Sequence, residues 1–309
     1  MPNIQYIQKR FSDTSMAIIA HAAQICADYA AQGFDLTLRQ LYYQFVARGI
    51  IPNSQAEYNR IGRVVNDARL AGLLDWDYIV DRTRNMEKRS HWDDPAGIID
   101  SASKSYGINQ WKGQPRRVEV WIEKDALVGV IEGVCRELDV PYFSCRGYTS
   151  QSEMWRAAMR LIEYCEEGHD PVILHLGDHD PSGIDMTRDI RDRLTLFMRS
   201  HGQFPPEVNR IALTMAQINQ YNPPPNPTKL TDSRAKDYLV MYGNQSWELD
   251  ALDPVMMADL IRDEVEALRD DVLWQQRVDE EEEGRDLLIE ASSRWSDVRS
   301  LLKQEGDDG

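Results

Sequence analysis

The feature of this sequence that most constrains its fold is a short apolar run that ends at two closely spaced acids. Residues 172–176 are almost entirely aliphatic, which predicts a strand buried on both faces. Asp178 and Asp180 follow it two positions apart, so both carboxylates point to one side if the chain stays extended. A Pro-Ser-Gly turn and a helical pattern over residues 184–198 come next. The sequence therefore predicts an acid pair in the crevice of an open α/β sheet.

A second strand of the same kind, residues 118–122, ends at Glu123. With a third short strand over residues 141–145 and helices between them, the order is βαβαβα, which predicts parallel strands and all three acids on one rim. Carboxylate oxygens are the ligands that Mg²⁺ prefers, so the rim is a candidate magnesium site. The alternative for the Asp pair is an acidic turn that caps a helix.

The N-terminal part of the chain contains a tyrosine with unusual surroundings. Thr37 is a good N-cap for a helix over residues 38–48, and the apolar positions of that helix, which include Tyr42, fall on one face. Tyr43 falls off this face and shares its sector with Arg39. An exposed phenol beside a guanidinium has the parts of an activated nucleophile, although a plain surface tyrosine remains the alternative.

A second helix, capped by Ser54 and running to about residue 71, is apolar on one side and polar on the other. The polar side and its flanks suit contact with phosphates and base edges, and they carry Asn59, Arg60, Arg63, Asn66 and Arg69. With a short strand over residues 78–82, the pattern predicts a winged helix-turn-helix. The alternative is a small amphipathic bundle with solvated arginines.

The formal net charge of −16 is unevenly distributed. Residues 247–309 carry 7 Lys and Arg against 20 Asp and Glu, whereas residues 36–89 carry 9 against 6. This predicts a basic N-terminal module and an acidic C-terminal one. The domain boundaries we predict are a winged-helix domain over residues 1–90, a linker over 91–116, a metal-binding domain over 117–253 and an acidic helical region over 254–309.

The four cysteines are scattered and lie in apolar contexts: Cys26, Cys135, Cys145 and Cys165. This pattern favours reduced core cysteines in a cytoplasmic protein over a zinc site or disulfides. An apolar run near eighteen residues and the apolar segment of a signal peptide are both absent from the sequence, so we expect no membrane span.

Two resemblances extend these predictions. Glu123 followed by Asp178 and Asp180, within residues 117–201, resembles the Toprim domain of topoisomerases, primases and related nucleases. That resemblance implies Mg²⁺ held by the three acids, with Glu123 as a ligand or general acid/base. Residues 38–43, Leu-Arg-Gln-Leu-Tyr-Tyr, are similar to the winged-helix motif of topoisomerase VI A subunits and the related meiotic double-strand-break protein, in which the second tyrosine is joined to DNA.

The implied fold is therefore α/β, with an N-terminal winged-helix (helix-turn-helix) domain, a Toprim Rossmann-like parallel-sheet domain and a helical C-terminal extension. The implied function is that of a type IIB topoisomerase A-like protein, which cleaves double-stranded DNA through a 5′-phosphotyrosyl link at Tyr43, with Arg39 as electrostatic helper. The family works as a homodimer in which the tyrosine of one protomer meets the metal site of the other, so we expect a homodimer here.

The sequence departs from the full topoisomerases, because it contains no Walker A motif and the family's A subunits work with a separate ATPase subunit. It is most similar to the short stand-alone A-like proteins of prokaryotic mobile elements, which would place it on the nucleoid. Three alternatives stay open: a Toprim metal-dependent nuclease without a covalent intermediate, a non-catalytic winged-helix DNA-binding protein, and a haloacid-dehalogenase-type phosphatase.

Overall fold

The computed structural model describes residues 4–80, 89–228, 231–232 and 234–304. Within those residues the helices are α1 (Asp13–Ala30), α2 (Leu38–Ala47), α3 (Gln55–Leu70), α4 (Pro95–Ser105), α5 (Val128–Glu137), α6 (Gln151–Glu166), α7 (Pro181–Ser200), α8 (Met215–Tyr221), α9 (Ala235–Tyr242), α10 (Pro254–Glu266), α11 (Asp271–Ser293) and α12 (Trp295–Gln304). The strands are β1 (Arg116–Ile122), β2 (Tyr142–Ser144), β3 (Asp170–Leu176), β4 (Glu207–Ala212), β5 (Asn226–Pro227) and β6 (Gln245–Ser246). Single 3₁₀ turns cover Asp125–Leu127 and Leu249–Ala251.

The chain divides into two compact units. The first contains the described parts of Met1–Arg84 and Arg117–Ala267, and the second contains those of Asn85–Arg116 and Leu268–Gly309. The N-terminal helices and the parallel sheet thus belong to one unit. The domain boundaries that the sequence suggested stay a prediction.

A four-stranded parallel sheet in the order β2-β1-β3-β4 forms the centre of the first unit, as the βαβαβα pattern predicted. The strand order reverses between β1 and β3, because the chain runs outward to β2 on one side and to β4 on the other. The carboxyl ends of β1 and β3 therefore lie side by side at a topological switch point, where open α/β sheets bind ligands.

Two helices cover one face of this sheet. α6 and α7 pack against each other and against β3 and β4. Their apolar stripes meet Trp121, Ile173 and Val208 of the strands in one buried cluster. Alternate residues of β3 belong to this face and the residues between them are also buried, which is why β3 is apolar along nearly its whole length. The sequence predicted these elements to within a few residues.

Three helices, α1 to α3, form the N-terminal module of the first unit. Thr37 caps α2 in a capping box with Gln40, and Ser54 caps α3, so both helices begin where the sequence predicted. A single parallel β-bridge joins Leu36 to Ile79 and closes the module. The predicted strand over residues 78–82 extends beyond the described residues at position 81, and the winged-helix assignment stays a prediction.

The second unit is built around α4 and α11, which pack along each other. Trp111 is fully buried, and Gln114 exchanges two hydrogen bonds with the Asp270 backbone, of 2.9 and 2.8 Å. Within the acidic helical region predicted over residues 254–309, α10 ends at Glu266 and α11 begins at Asp271, where the Asp270 carboxylate caps its first turn.

Candidate functional site at the carboxyl edge of the sheet

The structure brings two of the predicted acids into direct contact. The backbone amide of Glu123 donates to the Leu176 carbonyl at 2.9 Å, which aligns the ends of β1 and β3. The Glu123 carboxylate, through Oε2, then accepts a 2.8 Å hydrogen bond from the Asp178 amide. Both acidic side chains are buried. Adjacent parallel strands therefore place Glu123 and Asp178 at one point of the sheet edge.

Asp180 has a structural task at the same edge. Its Oδ1 accepts from the Gly183 amide at 2.7 Å and from the Ser182 hydroxyl at 2.8 Å, so it is the N-cap of α7. The helix-capping alternative is thus correct for this carboxylate oxygen. Asp180 also lies close enough to Glu123 for its charge to raise the pKa of Glu123.

The electrostatics of the acids follow from burial and mutual repulsion. Burial, together with the negative charge of Asp178, raises the pKa of Glu123 to about 7. Burial also raises the pKa of Asp178, although Lys124 opposes this. Glu123 is therefore able to hold or release a proton near neutral pH. The negative charges of Glu123 and Asp178 together favour a nearby cation.

That cation is supplied by Lys124, a residue that sequence reasoning missed. Its ammonium lies 2.8 Å from Asp178 Oδ1, 2.6 Å from Asp250 Oδ2 and 3.1 Å from Glu248 Oε2. Burial lowers the pKa of Lys124, but Asp178, Asp250 and Glu248 together outweigh burial and hold that pKa above its ordinary value. The lysine is thus charged and bridges two pairs of acids. Its position directly after Glu123 was the only signal in the sequence.

A backbone bridge positions the second acid pair. His179 and Trp247 exchange two backbone hydrogen bonds of 2.8 and 2.9 Å, and the Leu249 amide donates to Asp178 Oδ1 at 2.8 Å. These contacts fix the turn that carries Glu248 and Asp250 beside the strand end. The local sequence around these two acids does not indicate that they lie beside Asp178.

The tyrosine helix meets this acid turn. The Arg39 guanidinium on α2 donates to the Glu248 carboxylate, and it lies 3.6 Å from Asp250 Oδ2. The guanidinium carbon of Arg39 lies 5.7 Å from the centre of the Tyr43 ring, so these two side chains are close together, as predicted. Arg39 and Lys124 therefore share the same two carboxylates.

The expectation that Tyr43 is exposed is wrong. Tyr42 and Tyr43 are each only 4% exposed, because α2 packs on the N-terminal core with one side and on the 3₁₀ turn Leu249–Ala251 with the other. The pKa of Tyr43 is also shifted in the direction opposite to the one expected from the charge of Arg39. Burial and the charge of Glu248 raise the pKa of Tyr43 to about 12, outweighing a hydrogen bond from Asn226 and the charge of Arg39.

A polar cleft of about 160 Å³ opens beside these groups. Its lining combines three phenols, two charged side chains and several amide and hydroxyl groups: Arg39, Tyr42, Tyr43, Asn53, Ser54, Gln55, Tyr58, Asn226 and Glu248. Sequence reasoning did not identify Asn53, Tyr58 or Asn226, since they come from separate segments. The cleft offers hydrogen-bond donors and a guanidinium to a ligand that bears oxygen atoms.

Arg210, on β4, holds the turn over residues 177–183 in place. Its guanidinium donates to the backbone carbonyls of Gly177, Asp178 and Gly183 at 2.6 to 2.9 Å. It also donates to the Thr187 hydroxyl at 3.0 Å. The partly buried, rigid guanidinium with its several donors fits this set of acceptors, which a lysine ammonium would not. Arg210 was not identified from the sequence either.

The two glycines of the turn are required by close approach. A Cβ on Gly183 would lie 2.1 Å from the Asp178 carbonyl oxygen, and a Cβ on Gly177 would lie 2.9 Å from Glu123 Oε2. The Gly183 position has no room for a side chain, because its neighbour is backbone, whereas a side chain at Gly177 would require the Glu123 carboxylate to move. The Asp-x-Asp-Pro-x-Gly spacing therefore sets the path of the backbone as well as the positions of the acids.

The residues predicted to contact DNA lie along α3 in different environments. Asn59, Arg63 and Asn66 are exposed. Arg60 pairs with Glu57 on the same helix, and Arg69 donates to the backbone carbonyls of residues 76 and 79 at 2.7 and 3.0 Å. The exposed part of the predicted surface is thus a polar strip with one arginine.

The donor set at the sheet edge suits Mg²⁺ in its chemistry, because Glu123, Asp178 and Asp180 offer hard carboxylate oxygens whose repulsion a divalent cation would relieve. Among the residues that the structure describes, no three His, Cys, Asp or Glu side chains are arranged as a metal-ligand set. The Lys124 ammonium instead contacts Asp178.

The fold and the site define an α/β protein with a buried carboxylate and lysine centre at the switch point of a parallel sheet. No family model matches the sequence, and comparison with curated proteins gives no match. None of the described helices is both long enough and apolar enough to cross a membrane.

Proposed function

We propose that this protein binds double-stranded DNA and cleaves it as a type IIB topoisomerase A-like enzyme with Tyr43 as the nucleophile. One observation carries the proposal: Arg39, one turn before Tyr43, shares the Glu248 and Asp250 carboxylates with Lys124. A phenol, two cations and a carboxylate cluster thus belong to one network. Tyrosine-mediated phosphodiester cleavage needs those kinds of group.

In this proposal the parallel sheet is a Toprim-like domain, and α1 to α3 with their β-bridge act as a winged-helix domain. Support comes from the order of the two parts along the chain and from the position of the acids at the strand ends. Asn59, Arg63 and Asn66, which lie exposed on α3, would contact the DNA backbone and base edges.

Glu123, Asp178 and Asp180 are the residues that would hold Mg²⁺. When bound, the ion supplies positive charge that stabilises the scissile phosphate and the departing oxygen. Arg210 would keep the turn over residues 177–183 in place, since it donates to three backbone carbonyls of that turn. Lys124 would neutralise the side of Asp178 that faces Asp250.

The chemical step would form one bond and break another. The Tyr43 hydroxyl would lose its proton to solvent. Its oxygen would then bond to phosphorus while the bond from phosphorus to the 3′ oxygen breaks, which leaves a 5′-phosphotyrosyl link and, once the departing oxygen takes up a proton, a 3′ hydroxyl. Arg39 would stabilise the phenolate and the phosphate, because its charge lowers the pKa of Tyr43. Glu123 would be either a ligand of the ion or, with Asp178 and Asp180 holding the ion, the donor of a proton to the departing oxygen, since its pKa without a metal ion is about 7.

The test is capture of DNA by the protein. We expect wild-type protein with supercoiled plasmid and Mg²⁺ to give protein–DNA adducts that survive denaturant. Tyr43→Phe should abolish the adducts and leave DNA binding within about twofold, since only the hydroxyl is removed. Tyr58→Phe is the matched control, because Tyr58 lines the same cleft and should keep its adducts. Adducts formed by Tyr43→Phe would exclude Tyr43 as the nucleophile.

The burial of Tyr43 and its raised pKa favour a second candidate, a metal-dependent DNA nuclease of the Toprim type without a covalent intermediate. In that case Glu123, Asp178 and Asp180 keep their roles and Tyr43 is dispensable. Plasmid cleavage that needs Mg²⁺, leaves no adduct and survives Tyr43→Phe would establish this function.

Two partners also belong to the proposal, a second copy of the chain and a separate ATPase subunit. Size-exclusion chromatography with light scattering measures the molar mass of the protein in solution and so tests for a second copy of the chain. Plasmid relaxation with and without ATP tests the second, because strand passage by this class of enzyme needs ATP hydrolysis that this chain's motifs do not supply.

A further inference from the structure

The Glu248 carboxylate occupies a position that is surrounded by hydrogen-bond donors. Its Oε2 accepts from the Arg39 guanidinium on α2 and from the Lys124 ammonium, the latter at 3.1 Å. Its Oε1 accepts from the side-chain amide of Asn226, on β5, at 3.4 Å. Burial raises the pKa of Glu248, but the charges of Lys124 and Arg39 outweigh burial and hold that pKa below its ordinary value. The carboxylate is therefore charged at neutral pH and fills an anion-binding position.

Two of these donors also lie beside Tyr43. Burial raises the pKa of Tyr43, the charge of Glu248 raises it further, and a hydrogen bond from the Asn226 side chain opposes both. Arg39 contacts the Tyr43 ring, and all four residues line the same cleft. A carboxylate thus engages the donors that lie nearest to the proposed nucleophile.

A carboxylate and a phosphodiester compete for the same kind of position. Each carries one negative charge on oxygen atoms, and both bind guanidinium and amide donors. Glu248 and a phosphate cannot both lie against Arg39 without repelling each other, because like charges at this separation interact strongly.

Glu248 is able to leave Arg39, whereas its neighbour Asp250 is not. The Glu248 side chain is 28% exposed, and the Lys124 ammonium would remain as its cation. The Asp250 side chain is only 1% exposed and lies 2.6 Å from Lys124, so it is fixed in place. Glu248 is therefore the acid of this pair that a competing anion can displace.

We propose that Arg39 and Asn226 form the subsite for the DNA phosphate that Tyr43 attacks, and that Glu248 fills this subsite in the free protein until the phosphate displaces it. This inference rests on the proposed function, and it names the group that occupies the site before DNA binds. After displacement, Glu248 keeps its ion pair with Lys124, while Arg39 and Asn226 donate to phosphate oxygens. The movement also lowers the pKa of Tyr43, because the charge of Glu248 raises it.

Replacement of Glu248 by glutamine tests the displacement. The amide has the shape of the carboxylate but no charge, so it competes only weakly for Arg39. We expect Glu248→Gln to bind a fluorescently labelled DNA duplex about tenfold more tightly than the wild type, measured by anisotropy in EDTA. Glu137→Gln is the matched control, because it removes the same charge from another arginine pair, with Arg262. The control should change the affinity by less than about twofold.

A double-mutant cycle separates competition for Arg39 from a general effect of charge. If Glu248 acts by holding Arg39, the gain from Glu248→Gln should disappear in an Arg39→Met background. A gain that persists in that background would overturn the inference, because it would not depend on the guanidinium.

Asn226→Ala tests the subsite by a second route. The variant removes the amide donor, so DNA binding should weaken about fivefold. Unchanged binding would overturn the assignment of Asn226. Thermal unfolding confirms that each variant folds, and this measurement tests the subsite even where Glu248→Gln does not fold.

Failure of the inference differs from failure of the proposed function. If neither the wild type nor Glu248→Gln binds DNA, the proposed function is defeated. If the wild type binds DNA and forms adducts, while Glu248→Gln binds no more tightly than Glu137→Gln, only the inference is overturned.

Discussion

Lys124 and Asp250 form an ion pair of 2.6 Å in which the carboxylate is almost completely buried and the ammonium is less than one quarter exposed. The pair lies between the end of β1 and the 3₁₀ turn Leu249–Ala251, so it links the sheet to the segment on which the tyrosine helix rests. Removing one member of such a pair leaves the other charge buried without its partner.

Lys124→Met should therefore lower the free energy of unfolding by about 3 kcal/mol at pH 7 in EDTA. Mg²⁺ should stabilise this variant more than the wild type, because the acids around position 124 would lack their internal cation. Urea unfolding with EDTA and with Mg²⁺ measures both effects. Lys104→Met, at an exposed pair with Asp100, is the control and should change stability by less than about 1 kcal/mol. Equal stabilisation of variant and wild type by Mg²⁺ would count against this role.

Glu123→Gln should make the metal-free protein more stable at alkaline pH. Burial and the charge of Asp178 raise the folded-state pKa of Glu123 to about 7 from 4.5, so its contribution to stability is full below pH 4.5 and is lost as the pH rises through 7. The amide stays neutral throughout. We expect a gain that approaches about 3 kcal/mol at pH 8 and vanishes near pH 4. Unfolding in EDTA at both pH values, with the exposed Glu163→Gln as control, measures this gain. A gain that does not vary with pH would contradict the raised pKa of Glu123.

Arg210→Met should disrupt the turn over residues 177–183. The variant removes the guanidinium hydrogen bonds to the buried carbonyls of Gly177, Asp178 and Gly183, although Gly177 keeps a bond from the Leu213 amide, and we expect a loss of about 3 kcal/mol of unfolding free energy. Arg210→Lys should recover only part of it, because an ammonium cannot reach all the acceptors at once. The exposed Arg188→Met, which breaks surface pairs with Asp185 and Asp192, should stay within about 1 kcal/mol of wild type. If thermal unfolding shows the same loss of stability for Arg210→Met as for Arg188→Met, the turn does not need the arginine.

Gly183→Ala should be much more damaging than an alanine at another helical glycine. Its Cβ would lie 2.1 Å from the Asp178 carbonyl oxygen, so the turn or the start of α7 must shift, at a cost of about 3 kcal/mol or more. Gly133→Ala on α5 meets no atom within 4 Å and should stabilise the protein by about 0.5 to 1 kcal/mol. The denaturant concentrations at which the two variants unfold should therefore shift in opposite directions relative to the wild type. A Gly183→Ala variant that is stabilised, as Gly133→Ala is expected to be, would refute the close approach.

The sequence by itself determined the elements and the order in which they follow one another. Periodicity of 3.6 or 2 residues, capping residues such as Thr37 and Ser54, and the apolar runs that become β1 and β3 are local signals, and each is decided by side chains within a few positions of one another. The contact between Glu123 and Asp178 also followed from the sequence, because parallel strands end at a common edge.

Only the tertiary structure decided which groups surround those acids. Lys124, Arg210 and the Glu248/Asp250 pair meet there because separate crossovers and a backbone bridge bring them to one edge, and no periodic pattern encodes that meeting. The burial of Tyr43 was mispredicted for the same reason: a helical wheel registers the packing of one face, whereas the turn that covers the other face lies about two hundred residues further along the chain. Contacts between segments so far apart depend on how the elements pack, which the local pattern of neither segment specifies.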